Sequence, residues 1–119
     1  MKTSAVVFPI LEGKTEAWRQ FMREISGPHF AAFSESRRKA GLHERTFLQH
    51  TPMGDMVIVT LEGEHPEESF GQMVSASDPF TIWFREQVKL LHGVDLASLP
   101  KGAPSEQVID SERIAVAAM

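Results

Sequence analysis

The sequence predicts an α+β fold in which one antiparallel sheet packs against helices, with the element order β-α-β-β-α-β. Short runs rich in β-branched and aromatic residues begin the chain and recur in its middle. Stretches with apolar residues at helical spacing follow the first run and the later pair of runs. The chain has 119 residues, 42% hydrophobic and 24% charged, which is the composition of one ordinary globular domain.

The first third of the chain is predicted to hold one strand and a broken helix. "SAVVFPI" combines β-branched and aromatic residues and predicts a strand over 3–10. Apolar residues then recur at i, i+3, i+4 and i+7 from Trp18 to Ile25, which indicates one helical stripe. "SGP" interrupts this helix, because Pro28 disfavours helical backbone at the residue before it. A second helical piece is predicted over 29–40, just before a glycine suited to a helix end.

The middle of the chain predicts a β-hairpin. "HERTFLQHT" and "MVIVTLEG" predict strands over 43–51 and 55–62, and "TPMGD" supplies the turn between them. Side chains alternate along a strand. In the strand over 43–51, one face therefore carries His43, Arg45, Phe47 and Gln49, while the other carries Glu44 and His50. Both faces of the predicted sheet carry apolar residues, but the single layer of helices can cover only one of them. We therefore expect a homodimer in which the other face pairs with the sheet of a second copy.

The second helical region is also predicted to be broken near its middle. Pro66 opens it, followed by two glutamates in the first turn, where the helix dipole favours them. "SDPF" restarts the helix with Asp78 as its N-cap, and the apolar stripe from Phe80 predicts helix over 79–92. We assign residues 1–100 to the domain.

The remaining residues, 101–119, are read as a C-terminal extension with a short fourth strand over 106–110. They follow a loop that contains two prolines.

Composition excludes several functions. The chain lacks cysteine, which excludes disulfides, thiolate catalysis and thiolate zinc sites. A formal net charge of −4 disfavours nucleic-acid binding, which needs a basic face. We expect no signal peptide, no membrane association and a cytoplasmic location, because the N-terminal apolar run is short and broken by proline. The histidines lack a metal-ligand spacing such as H-E-x-x-H, so we expect no metal.

Three stretches resemble the dimeric α+β barrel superfamily, whose chains have a ferredoxin-like fold. They are "VVFPILEGKTEAWRQF", "GLHERTFLQHTPMGDMVIVTLEGE" and "SDPFTIWFREQVKLLHGVD", and together they span roughly positions 3–97. Within this superfamily the chain resembles a bacterial subfamily of small proteins without an assigned activity. The resemblance implies two sheets packed face to face across a dimer axis, helices outside, and a small-molecule pocket between each sheet and its helices.

The superfamily includes cofactor-free monooxygenases, haem-degrading monooxygenases, muconolactone isomerases, chlorite dismutases and stress-induced proteins. The haem-degrading branch uses a histidine beside an asparagine, and this chain has no asparagine. We find no catalytic motif of the other branches either, so we expect no cofactor.

Five residues are the candidate site. Glu44 and His43 are candidate proton acceptors, since a carboxylate or imidazole at a strand start beside helices suits general base catalysis. The candidate ligand-binding residues are Trp83, Arg45 and His50. Glu44 and His50 lie about 20 Å apart along one strand, so they cannot form one catalytic pair. For Glu44 the structural alternative is an ion pair with Arg45 or with Arg85, and for Trp83 it is core packing.

Two function classes stay open. One is a cofactor-independent monooxygenase or isomerase that acts on a small cyclic or aromatic metabolite. The other is a non-catalytic small-molecule-binding or stress-related protein. A cavity that converges on Glu44 or on a histidine and has a path to solvent favours the enzyme. A cavity filled by Phe30, Phe33 and Trp83 favours the second class.

Overall fold

The computed structural model describes residues 1–99 and 105–112 of the chain. Within these ranges the strands are β1 (Lys2–Pro9), β2 (His43–Thr51) and β3 (Gly54–Gly63). The helices are α1 (Thr15–Ser26), α2 (Phe30–Ala40), α3 (Pro66–Val74), α4 (Pro79–His92) and a short 3-10 helix (Leu96–Ser98). The α+β class is therefore confirmed, and so is the break in each of the two helical regions.

The described strands form one antiparallel sheet with β3 in the centre, in the order β1-β3-β2. A tight turn joins β2 to β3, and its geometry needs a glycine, because Gly54 has φ +117°. The Thr51 hydroxyl stabilises this turn by donating to the Gly54 carbonyl at 2.6 Å and accepting from the Met53 N–H at 3.2 Å. The short turn fixes the register of the hairpin and so decides which side chains face the helices.

Local sequence signals set the helix ends. Gly41 has a left-handed backbone with φ 69°, and its N–H bonds to the last carbonyls of α2. The Asp78 carboxylate caps α4 by accepting from the Thr81 N–H at 3.1 Å and from the Thr81 hydroxyl at 2.7 Å. These hydrogen bonds hold the pKa of the Asp78 carboxyl below its usual value. The breaks turn the chain so that all four helices lie on one face of the sheet.

The core lies between that face and the helices. Strand residues at alternating positions are buried there, and α1, α3 and α4 cover them with aromatic and aliphatic side chains. The buried strand residues are Val6, Phe8, Val57, Val59 and Leu61. The helices contribute Trp18, Phe21, Ile25, Phe70, Met73, Val74, Val88 and Leu91.

The predicted fourth strand is wrong. Residues 106–110 are irregular, and Val108 and Ile109 are 80% and 78% exposed. The segment reaches the sheet only at its start, where Ser105 Oγ accepts a hydrogen bond from the Ala5 N–H at 3.1 Å. None of the three described strands pairs with this segment, so it has neither a sheet partner nor a buried face. The predicted domain boundary at 100–101 lies outside the described residues.

In the described part of the chain, no helix combines the length and the apolar character needed to cross a membrane. The cytoplasmic location stays a prediction.

Candidate functional site

A small internal cavity lies between the sheet and the helices. Its volume is about 60 Å³, and its wall is mostly aromatic and aliphatic. Its wall includes Met22, Phe33, Arg37, Glu44, Val59, Phe84 and His92. We call this space the internal cavity. Most of the wall is apolar, so it offers few hydrogen-bond partners to the polar side chains that line the cavity. A buried polar group without such a partner is unfavourable.

Arg37 and Glu44 form a buried ion pair at the cavity wall. Arg37 Nε donates to Glu44 Oε1 at 2.9 Å, and the two side chains are only 7% and 6% exposed. The guanidinium carbon lies 4.2 Å from the ring centre of Phe33 and 4.8 Å from that of Phe84. The charged group is therefore packed against two aromatic rings, which attract cations. Breaking such a pair leaves a buried charge without its partner.

The hydrogen bonds of this pair are incomplete. Arg37 Nη1 donates to Ser36 Oγ at 3.1 Å, but Nη2 is buried and has no partner among the described residues. On the surface of the same helix, Arg38 bonds Glu35 through both Nε and Nη2, the usual two-pronged geometry. In the buried pair, Oε1 of Glu44 accepts the Nε hydrogen bond, while Oε2 receives none from the described residues. One guanidinium donor, Nη2, is thus buried and unpaired, and one oxygen of the partner carboxylate, Oε2, receives no hydrogen bond from the described residues.

His92 is the second polar group of the cavity wall. Its Nδ1 lies 2.7 Å from the Pro9 carbonyl oxygen, and a carbonyl only accepts, so Nδ1 carries the hydrogen. Burial lowers the pKa of the His92 imidazole below 6.5, although the bond to Pro9 opposes this shift. The ring is therefore neutral at pH 7, and its other nitrogen, Nε2, keeps a lone pair that can accept a proton.

Of the five predicted site residues, only Glu44 lines the internal cavity. The expected divergence of Glu44 and Arg45 is present, because Arg45 lies on the outer face and pairs with Glu62 at 2.7 Å. His43 shares that outer face and lies 3.6 Å from the same carboxylate. The structural alternative for Glu44 was an ion pair with Arg45 or Arg85. Both predicted partners are wrong, because Glu44 pairs with Arg37.

The other two candidates lie outside the cavity wall. His50 is exposed at the far end of β2, where Nδ1 is 2.7 Å from an Asp55 oxygen. Trp83 is half-buried between helices and stacks on His29, with ring centres 4.1 Å apart. It also meets Phe21 edge to face, with ring centres 5.4 Å apart. This geometry gives Trp83 a packing role, since offset and edge-to-face aromatic pairs stabilise helix contacts.

Sequence reasoning missed Arg37 and His92. Both residues lie in the last turn of a helix, where a basic side chain also suits the helix dipole. A signal was nevertheless present, because Arg37 follows Phe30 by seven residues and Phe33 by four, and so continues the aromatic stripe of α2. His92 likewise follows Val88 by four residues. Each of the two polar residues therefore lies on a helix face that apolar residues mark.

A larger, open groove of about 410 Å³ lies outside, between α2, α3 and the start of α4. Two of its three charged side chains are engaged, and the third, Lys39, is exposed to solvent. Glu35 pairs with Arg38, and Asp78 caps α4. The groove is wide, but it lacks an unpaired buried polar group. We therefore place the candidate site at the internal cavity, where chemistry and burial coincide.

Within residues 1–99 and 105–112, no three histidine, aspartate or glutamate side chains come together as metal ligands. The chain matches no family model, and neither a curated protein nor a solved structure is similar enough to count as a match.

Proposed function

We propose that this protein binds a small, mostly apolar molecule in the internal cavity and holds the polar end of that molecule at Arg37 and Glu44. The observation that carries the proposal is Arg37 Nη2, a buried charged donor without a partner among the described residues. Such a group costs about 1–3 kcal/mol or more, so native proteins seldom leave one unpaired. A ligand oxygen that accepts from Nη2 removes this cost, whereas packing alone gives no reason for it.

The cavity has to widen before it can hold a ring. Its volume of about 60 Å³ suffices for a few water molecules, while a cavity that binds benzene has about 150 Å³. Met22 and Phe33 are the half-buried wall residues suited to move. Methionine adapts easily to new shapes, and Phe33 covers the Arg37 guanidinium. Their displacement enlarges the cavity and uncovers Nη2 in one step.

Methyl-resolved NMR tests this proposal directly. Small apolar compounds that carry one oxygen are titrated into the protein, and the methyl signals of Met22 and Val59 are followed. At least one compound should shift both signals, while the Val7 methyls on the opposite sheet face stay unchanged. Val59→Ile should weaken binding because it narrows the cavity, and Val7→Ile is the matched control. The proposal is refuted if no compound shifts the Val59 signals.

A second candidate function is proton-transfer catalysis, as in a cofactor-independent monooxygenase or isomerase. His92 favours it, because a neutral imidazole with its Nδ1 hydrogen fixed on the Pro9 carbonyl presents a basic Nε2. In this reading His92 is the proton acceptor, since Glu44 is engaged by Arg37.

Hydrogen exchange into a bound carbon acid separates the two functions. An enzyme should exchange an acidic C–H of its ligand with deuterated water, and His92→Asn should abolish that exchange while ligand binding persists. A ligand that binds without exchange leaves only the binding function.

We further propose that the chain has the ferredoxin-like arrangement of the dimeric α+β barrels, with three of its four strands among the described residues, and pairs with a second copy through the outer sheet face. Val7, Ile58 and Phe47 form an apolar row across that face, in register on the three strands. Val7 and Phe47 are 52% and 51% exposed. Arg45 and Glu62 give the same patch both charges, which makes it self-complementary about a two-fold axis.

Light scattering tests the pairing. The protein should have twice the 13.3 kDa mass of one chain at micromolar concentration. Phe47→Asp should give the single-chain mass, whereas Leu90→Asp, at an exposed helix position, should keep the doubled mass. A single-chain mass for the unaltered protein would exclude the dimer.

A further inference from the structure

The unpaired atoms at the Arg37–Glu44 pair also specify the chemistry of the ligand. Nη2 of Arg37 is a donor, and Oε2 of Glu44 is an acceptor. A head group that satisfies both atoms has to accept one hydrogen bond and donate another. A hydroxyl does so with a single oxygen, and it is the smallest head group able to do so. The narrow cavity favours it over a larger amide.

The charge of the pair points the same way. One guanidinium and one carboxylate sum to zero, so the site offers no net attraction for an ion. A ligand carboxylate beside Glu44 would face a like charge in a place with little water, and this is costly. A ligand ammonium would face Arg37 in the same way. A neutral head group avoids both penalties.

The rings around the guanidinium indicate the shape of the rest of the ligand. Phe84 stays beside Arg37 when Phe33 is displaced, and aromatic and aliphatic side chains form most of the remaining wall. An aromatic ring packs well against such surroundings because edge-to-face contacts are favourable there. A phenolic hydroxyl, with a pKa of about 10, is uncharged at pH 7.

We infer that the internal cavity selects neutral hydroxyl compounds, phenols in particular, through a hydroxyl that accepts from Arg37 Nη2 and donates to Glu44 Oε2. This inference rests on the proposed binding function and adds the ligand class to it. It makes Glu44 the residue that excludes carboxylates, and Arg37 the residue that separates a hydroxyl compound from a hydrocarbon of equal size.

Three probes of similar size test the ligand class: phenol, benzoate and toluene. Their affinities at pH 7 are measured by calorimetry or by methyl chemical shifts. We expect phenol to bind at least about tenfold more tightly than either of the others, because one unmatched buried polar contact costs about that factor. Equal binding of toluene, or tighter binding of benzoate, overturns the ligand class but keeps the binding function. Failure of all three to bind overturns both.

Two variants test the assigned roles. Glu44→Gln keeps an acceptor oxygen but removes the negative charge, so benzoate should gain at least about tenfold in affinity while phenol changes little. The double variant Arg37→Met/Glu44→Leu should bind phenol no more tightly than toluene, and circular dichroism checks its fold. Unchanged benzoate affinity in Glu44→Gln would overturn the role of Glu44. A phenol preference kept in the double variant would overturn the role of the pair.

Discussion

Replacing the buried ion pair one partner at a time should reveal how strongly each charge depends on the other. Arg37→Met keeps much of the packing of the side chain against Phe33 and Phe84 but leaves the Glu44 carboxylate buried and alone. Glu44→Leu does the same to the guanidinium. With both side chains less than a tenth exposed, each single change should lower the free energy of unfolding by about 3–5 kcal/mol.

The double variant Arg37→Met/Glu44→Leu should behave differently. It removes both charges and fills the space with apolar atoms, so its stability should equal or exceed that of the parent protein. The coupling between the two single changes is then several kcal/mol, far above the few tenths seen between independent sites.

Equilibrium unfolding in urea at pH 7 measures these values. A matched control comes from the neighbouring pair on the same helix, Arg38 with Glu35, whose side chains are 71% and 46% exposed. Arg38→Met should cost less than about 1 kcal/mol, as exposed pairs do. If Arg37→Met costs no more than Arg38→Met, the Arg37–Glu44 pair is not desolvated, and the argument for an unpaired donor at the cavity fails.

Three further predictions concern other parts of the molecule. Burial lowers the pKa of His92 below 6.5, so at pH values between the folded and the unfolded pKa the unfolded chain binds more protons than the folded chain. The free energy of unfolding should therefore fall as the pH drops below 6.5. Unfolding of His92→Asn between pH 5 and 7 should lack this part of the pH dependence, and an unchanged dependence would contradict it. Trp83→Ala should cost roughly 3 kcal/mol in urea unfolding yet leave ligand affinity unaltered, because the ring packs on His29 away from the cavity. Asp78→Ala should lower the midpoint of thermal unfolding by removing a cap that contributes about 1 kcal/mol, and an unchanged midpoint would argue against the cap.

Much of the fold could be predicted because its signals are local. Pro28 and Gly41 act on the backbone next to them, and a two-residue alternation alone separates Glu44 from Arg45. These effects need no knowledge of distant residues. The prediction of a fourth strand was wrong because it depended on distant residues. A strand near Val108 has to find a pairing edge and a face to bury, and neither requirement is encoded in the few residues around it.

Only one member of the buried pair at the candidate site, Glu44, could be predicted from the sequence. The alternation placed Glu44 on the helix face, but its partner lies on a helix whose rotation relative to the sheet is a tertiary property. Arg37, Arg38 and Lys39 are consecutive cations, and successive helix positions point about 100° apart, so composition alone cannot say which of them is buried. Only the spacing from Phe33 distinguishes Arg37 from its neighbours.

The burial and the incomplete hydrogen bonds of the Arg37–Glu44 pair bear on the function of this chain. Arg37 lies on the aromatic stripe of α2 and is buried, and a buried cation is unfavourable unless a carboxylate accompanies it. Glu44 meets that need and accepts one hydrogen bond from Arg37, whereas Arg38 forms two with Glu35 on the surface. Arg37 Nη2 is buried without a partner among the described residues, and Glu44 Oε2 receives no hydrogen bond from them. Under the proposed binding function, a hydroxyl ligand engages Nη2 and Oε2 together and removes the cost of the unpaired donor.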